Sequence, residues 1–344
     1  MEDAVTLLKS RRTEDRIRAV TLLARLAGPD GQVMLLEALQ DRSNYVATLA
    51  AEALGRIADE SAARAMVERF LFLSEDGLKR DPGCHIRAHL AFAFGRLEYT
   101  PAAEALRAGI RTEQIEPVGG VPFDTAAHLR ANCALALAQI HAPDALRDIT
   151  LLLFDTSGHA IGGGPNAELV KVEPRKAAAQ AMARLGNPNA LIPLTLKLVY
   201  PEGEAAEVLQ ECMQAIVELE DPRALELLTP YLQNPDPHLV AYAALMIAQT
   251  RAPEAPGLIR EAVQRLSGDP LRAAVLALTT LRTEEAHAVL HELAGEEREA
   301  VRLAVVDALA NSQDAADRKL LRHLARQDRS AAVRRAAQQA LPAD

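Results

Sequence analysis

Several histidines and one asparagine fall in a single stretch of the chain, and imidazole and amide groups can bind ligands or metals. His85 and His89 lie four residues apart, so on a helix they share a face, a spacing compatible with metal ligation. His128 and Asn132 repeat that spacing further along the chain, and His159 follows in a glycine-containing segment. These five residues are our candidates for binding a partner or ligand.

The cluster has two interpretations, and both stay open. Three or four ligands must converge on a metal, and no spacing here guarantees that convergence. On the first interpretation, the histidines are polar residues at helix starts, and one or two of them make hydrogen bonds in the interior. The alternative is a ligand or metal pocket, with Cys84 and Cys133 nearby. We predict no metal and no cofactor.

No motif in the chain identifies a catalytic centre. Gly162-Gly163-Gly164 lacks a following GK[ST] phrase and a preceding buried strand, which favours a flexible loop tip over a phosphate cradle. The sequence contains neither a GxSxG phrase nor an HExxH motif. We therefore name no catalytic residue and favour a non-catalytic protein, although an enzyme stays open.

Composition narrows the class of protein. The 344 residues include 38 basic and 47 acidic side chains, a net charge of −9 that argues against an extended nucleic-acid surface. Six Phe, five Tyr and no Trp favour a core of closely packed helices closed by Ala, Leu, Val and Ile. No apolar window is long enough to span a membrane, and the N-terminal sequence does not resemble a secretory signal. Three widely spaced cysteines predict reduced thiols in a cytoplasmic protein.

One phrase recurs along the chain: an aliphatic residue, then usually Arg, with Ala six residues later. Clear copies are Ile86-Arg87 with Ala93 and Val301-Arg302 with Ala308. Each copy holds a shorter amphipathic segment followed by a helix beginning at the phrase, and Gly, Pro, Asn and Asp separate the copies. Neither helix of a pair can bury its apolar face alone, so stacked pairs must share a core. We predict an all-α fold, an α-α superhelix of about ten helix pairs, as one domain over 1–344.

The recurring phrase resembles that of HEAT-repeat proteins, of the short type shared with phycobilisome-lyase-like repeats. The best matches are VATLAAEALGRI at 46–57, IRAHLAFAFGRL at 86–97 and PRKAAAQAMARLG at 174–186. HEAT-type deoxyhypusine hydroxylases hold two irons with several His-Glu pairs. This sequence has only His291-Glu292, so we reject that assignment and expect His287 and His291 to be solvated.

Asp precedes the phrase by six residues in four copies, at Asp41, Asp81, Asp124 and Asp328. Such a carboxylate can cap the N-terminus of the second helix. The resemblance implies that Asp and Arg form a ladder joining neighbouring repeats, which makes the recurring arginines mainly architectural. They are Arg18, Arg87, Arg130, Arg175, Arg272, Arg302 and Arg334.

Three consecutive units are longer than the others, with extra residues at 74–84, 111–126 and 155–173. All three fall between the first and second helix of their unit, so we predict a contiguous edge of loops. Loops on a rigid scaffold are common binding elements. We predict a scaffold that binds another protein or an extended peptide through its concave face and these loops. The alternative is a bilin lyase- or chaperone-like protein that holds a small cofactor such as a tetrapyrrole, and nucleic acid is the least favoured partner.

Overall fold

A computed structural model describes residues 2–26, 28–155 and 167–341. The chain divides into two compact units, Met1–Pro193 and Leu194–Asp344. The first unit contains α1 Glu2–Leu8, α2 Thr13–Leu26, α3 Pro29–Ala38, α4 Asn44–Ile57, α5 Glu60–Ser74, α6 Gly77–Arg80, α7 His85–Arg96, α8 Ala103–Ile110, α9 Ala127–Gln139, α10 Ala145–Leu153 and α11 Ala167–Leu185. Helix α12 (Leu191–Val199) contains the division point.

The second unit continues the alternation of a first and a second helix. Its helices are α13 Ala206–Glu218, α14 Ala224–Leu228, α15 Pro237–Gln249, α16 Ala255–Val263, α17 Gly268–Leu281, α18 Glu284–Leu293, α19 Glu299–Leu309, α20 Ala315–Gln327 and α21 Ala331–Ala340. A 3-10 turn, Thr229–Gln233, extends α14. Over the described residues the chain order gives ten helix pairs, with α6 as an additional short helix.

Within each of the two compact units, the second helices of successive pairs form a row. In the first unit α2, α4, α7, α9 and α11 contact one another in sequence, and in the second unit α13, α15, α17, α19 and α21 do the same. Small residues allow this close approach. A Cβ on Gly95 of α7 would lie 3.1 Å from Cα of Ala136 on α9, closer than most Cβ contacts, so glycine favours the close approach of these helices. The all-α fold of paired helices predicted from the alanine spacing is confirmed.

An Asp–Arg pair joins successive helix pairs near both ends of the chain. Arg16 Nε lies 2.7 Å from Asp41, and Arg302 Nε lies 2.8 Å from Asp328, with every side chain at most 10% exposed. The Nη1 atoms of both arginines also donate to the carbonyl groups five and six residues earlier. Arg16 therefore occupies the position that the sequence phrase assigned to Arg18, which is exposed. The local phrase was misaligned by two residues in this first copy.

The extra residues of the longer units fold into regular structure where they are described. Residues 74–84 contain α6 and a 3-10 turn, Pro82–Cys84. Residues 111–126 contain an antiparallel hairpin of β1 (Ile115–Val118) and β2 (Val121–Asp124). The third segment, 155–173, was predicted to be a loop, but α11 begins at Ala167 and runs through Pro174. Most of its remainder, 156–166, lies outside the described residues.

None of the described helices combines the length and apolar character that crossing a bilayer requires.

Candidate functional site

The site lies at the base of the β1–β2 hairpin. Two buried side chains, Asp81 and Arg87, form the start of the hydrogen-bond network that holds this base. Asp81 accepts the backbone N–H groups of Ile86 and Arg87 at 3.0 and 3.1 Å, so it fixes the first turn of α7. The same carboxylate accepts from Arg87 Nε at 2.9 Å, and both side chains are 2% exposed or less. A buried pair of this kind requires complete hydrogen bonding, because an unpaired charge in the interior is costly.

Gln114, immediately before the hairpin, completes that network. Its Oε1 accepts from Arg87 Nη2 at 2.6 Å, and its Nε2 donates to the carbonyl of Asp81 at 3.0 Å. A Cβ on Gly77 of α6 would lie 2.3 Å from Gln114 Oε1 and 2.6 Å from Arg87 Nη2. Only glycine leaves room at position 77 for this arrangement of the buried amide and guanidinium groups.

Glu116 on β1 attaches the hairpin to the segment that contains α6. Its Oε2 accepts from the Gly83 N–H at 2.8 Å and from the Thr125 hydroxyl at 2.5 Å. The carbonyl of Gln114 also accepts the Thr125 N–H at 2.9 Å. The first two extra segments are therefore joined to one another by hydrogen bonds at the start of α7.

The start of the third segment connects to the second through Arg130 of α9. Arg130 Nη1 lies 2.7 Å from Asp124 Oδ2, and its Nε lies 3.2 Å from Asp155 Oδ2. Arg130 Nη1 also donates to the carbonyl of Thr112 at 2.9 Å, and Arg175 donates to the carbonyl of Asp155 at 3.1 Å. Buried arginines thus fix the described ends of the extra segments.

The tip of the hairpin contrasts with its anchored base. Val118 and Val121 are 53% and 43% exposed, and they flank Gly119 and Gly120, whose φ angles are +62° and +83°. Two consecutive positive φ angles are those of a two-residue hairpin turn that glycine favours. Ile115 at the other end of β1 is 42% exposed. An apolar tip therefore projects from a base that is fixed by buried polar contacts.

The sequence-predicted histidines lie beside this base. His85 and His128 are exposed in the first turns of α7 and α9, and His89 is half-buried, which lowers its pKa. Asn132 donates from Nδ2 to the carbonyl of Ala88 at 2.9 Å, so it links α9 to α7. His159 lies outside the described residues. Among the side chains that the structure describes, no group of three or more His, Cys, Asp or Glu could hold a metal ion.

The cysteines near the cluster are buried free thiols. Cys84 Sγ lies 3.2 Å from Arg87 Nη2, but burial outweighs that cation and raises the pKa of the thiol to about 12. Burial also raises the pKa of Cys133. These thiols are therefore protonated near neutral pH and are poor nucleophiles.

Comparison with known proteins relates two stretches of the chain to a family of repeats. A family model of HEAT repeats matches residues 1–71 and 256–342. These two stretches of the chain are HEAT repeats. No curated protein sequence matches it.

Several solved structures are similar to this chain at low identity. A mutant of Kap121p is 12% identical over 98% of this chain and 40% of that chain, with a TM-score of 0.52. Kap121p bound to Nup53p is 13% identical over 98% and 40%, with a TM-score of 0.49. The complex of CpcE and CpcF of phycocyanin lyase from Nostoc is 17% identical over 90% and 94%, with a TM-score of 0.40. This chain thus spans 40% of the Kap121p length, and the likeness shows the fold alone.

One polar cluster of the chain was not predicted. His287 Nδ1 and His291 Nε2, expected to be solvated, lie 3.2 and 3.1 Å from Oδ1 of Asp317, which is 0% exposed. The hydroxyl of Ser312 donates to Asp317 Oδ2 at 2.6 Å. The histidines on α18 thus bind a carboxylate on α20. The sequence contained a signal for this contact, because His287 and His291 precede Asp317 by 30 and 26 positions, about the length of one repeat.

Proposed function

We propose that this chain is a non-catalytic scaffold built of HEAT repeats and that it binds another protein through the β1–β2 hairpin. The observation that carries the proposal is the exposed apolar pair Val118 and Val121 at the end of an anchored hairpin. A rigid base reduces the entropy lost on binding, and exposed apolar side chains supply the contact area.

The hairpin is suited to contact through side chains and not to the addition of a further strand. The bond between the Thr125 N–H and the Gln114 carbonyl makes 114 and 125 a hydrogen-bonded pair. Because such pairs alternate, the opposed residues Pro117 and Pro122 form a non-hydrogen-bonded pair, whose backbone groups face outward. Proline has no N–H, so each outer edge lacks a donor at this position, which disfavours pairing with a further strand. We infer that the partner offers an apolar groove to the valines.

Site-specific crosslinking tests this function. A photoreactive amino acid at position 118, introduced in the native cell, should crosslink one protein partner, and the same label at Leu276, 53% exposed on α17, should not. The V118S/V121S variant should lose that partner in affinity purification while L276S keeps it. Equal crosslinking at both positions, or retention of the partner by V118S/V121S, would remove the hairpin from the proposal.

We also propose a cytoplasmic location for the scaffold. Cys84, Cys133 and Cys212 are free and buried, which suits a reducing compartment. Fractionation of cells that express a tagged chain tests this location, and recovery of the chain outside the cytoplasm would contradict it.

A further inference from the structure

The last helix pair of the second unit, α20 and α21, carries a charge opposite to that of the chain. Residues 315–341 hold seven basic side chains and two acidic ones, a net charge of +5, within a chain whose net charge is −9. The basic residues are Arg318, Lys319, Arg322, Arg326, Arg329, Arg334 and Arg335. The pair is a basic surface on an otherwise acidic protein.

The two acids of this pair do not neutralise its exposed surface, because both are already bound inside the fold. Asp317 is occupied by His287, His291 and Ser312. Asp328 accepts from Arg302 Nε at 2.8 Å, and its side chain is 4% exposed. The remaining arginines and lysine therefore determine the field outside the helix pair.

Three cations on α20 point into solvent with no protein partner. Lys319, Arg322 and Arg326 are exposed, and none makes a hydrogen bond or ion pair with another described residue. Their spacing of three and four residues places them on one face of the 13-residue helix, a stripe about 10 Å long. The opposite face buries Leu321 and Leu324. The stripe is therefore fixed by the packing of α20.

A cleft of about 420 Å³ lies beside the stripe, between α18 and α20. Ala294, Leu320 and Leu324 supply apolar lining, and the polar lining comes from His291, Arg302, His323, Gln327, Asp328 and Arg329. A single apolar side chain could enter this cleft while neighbouring carboxylates contact the stripe.

We propose that α20 binds an acidic segment of another protein, with one apolar residue of that segment seated in the cleft. This surface is distinct from the β1–β2 hairpin. Charge complementarity selects an acidic ligand, and the apolar lining selects a protein segment. Nucleic acid fits less well, because the stripe is short and the rest of the chain has a net charge of −14, which repels an extended phosphate backbone.

Fluorescence anisotropy with defined probes tests this inference on the full chain. The first probe is a short labelled peptide of Glu and Asp with one central Leu, the second replaces that Leu by Ser, and the third is a single-stranded oligonucleotide of equal charge. The R322E/R326E variant removes the stripe, and R18E/R25E, which reverses two exposed arginines of α2, makes the same charge change in the first unit. Circular dichroism and thermal unfolding verify that both variants fold.

We expect the Leu peptide to bind the wild-type chain in a salt-dependent manner and to bind R322E/R326E about tenfold or more weakly. Its affinity for R18E/R25E should stay within about twofold of wild type, and the Ser peptide should bind several-fold more weakly than the Leu peptide. The inference is overturned by any of three results: no peptide binding to the wild-type chain, equal loss in both variants, or an oligonucleotide that binds more tightly than the peptide.

Discussion

Gln114 accepts a 2.6 Å hydrogen bond at Oε1 from Nη2 of Arg87, and this contact couples the base of the hairpin to the first turn of α7. The two residues are 27 positions apart and both are buried. Since Arg87 is also paired with Asp81, the hairpin is fixed to the same buried ion pair that begins the helix. Loss of the amide should therefore affect both the stability of the unit and the order of the hairpin.

Replacement of Gln114 by Ala should release the hairpin while leaving the helices in place. The change leaves a buried guanidinium donor and the Asp81 carbonyl without their partner, at a cost of about 1–3 kcal/mol in the free energy of unfolding. Amide hydrogen exchange should become faster in 115–124. Q40A changes an exposed glutamine at the end of the α3 region and serves as the control. Unchanged exchange in the hairpin of Q114A would show that Gln114 does not anchor it.

Arg16, and not Arg18, should stabilise the first repeat. R16M leaves the Asp41 carboxylate without the guanidinium that faces it, and removal of one member of a buried pair costs about 3–5 kcal/mol. R18M changes an exposed side chain two residues away and should alter stability by at most about 0.5 kcal/mol. Urea unfolding of both variants measures the difference. Equal losses in the two variants would mean that the Arg16–Asp41 pair is not the junction.

Acid should weaken the second unit through Asp317. Burial raises the pKa of this carboxyl, but hydrogen bonds from Ser312, His291 and His287 outweigh it and lower the pKa below its ordinary value of 3.8. A folded-state pKa below the unfolded one adds stability that is present above pH 3.8 and is lost as the pH falls through the lower folded value.

Asp317→Asn should therefore destabilise the chain at neutral pH and reduce the loss of stability on acidification. D307N, an exposed position on α19, is the matched control. Thermal unfolding between neutral pH and about pH 3 provides the measurement. A D317N variant with the wild-type slope of stability against pH would show that this cluster does not contribute to acid sensitivity.

The fold could be predicted because its determinants are local and repeated. Alanine and aliphatic residues recur at helical spacing, and turn residues separate the copies, so every helix pair carries its own signal. The position of Arg16 could not be assigned in this way. Ile17-Arg18 matches the phrase better, and only packing against Asp41 shows that Arg16 occupies the ladder position.

The candidate site was predicted less completely, because its contacts join residues far apart in sequence. The segment 111–126 was marked as an insertion, but its hairpin was missed even though Val-Gly-Gly-Val is a strong two-residue turn signal. No local pattern showed that Gln114 would reach Arg87. The binding roles assigned to His85, His89, His128 and Asn132 stay predictions, as does the cofactor-holding alternative.

The affinity of the purified partner for hairpin variants tests the central claim most directly. With the partner that crosslinks at position 118, isothermal titration calorimetry should show V118S/V121S binding at least about tenfold more weakly than wild type, because two exposed valines lose their apolar contact area. L276S should bind as the wild type does. Wild-type affinity in V118S/V121S would contradict the claim that the hairpin tip is the partner-binding element.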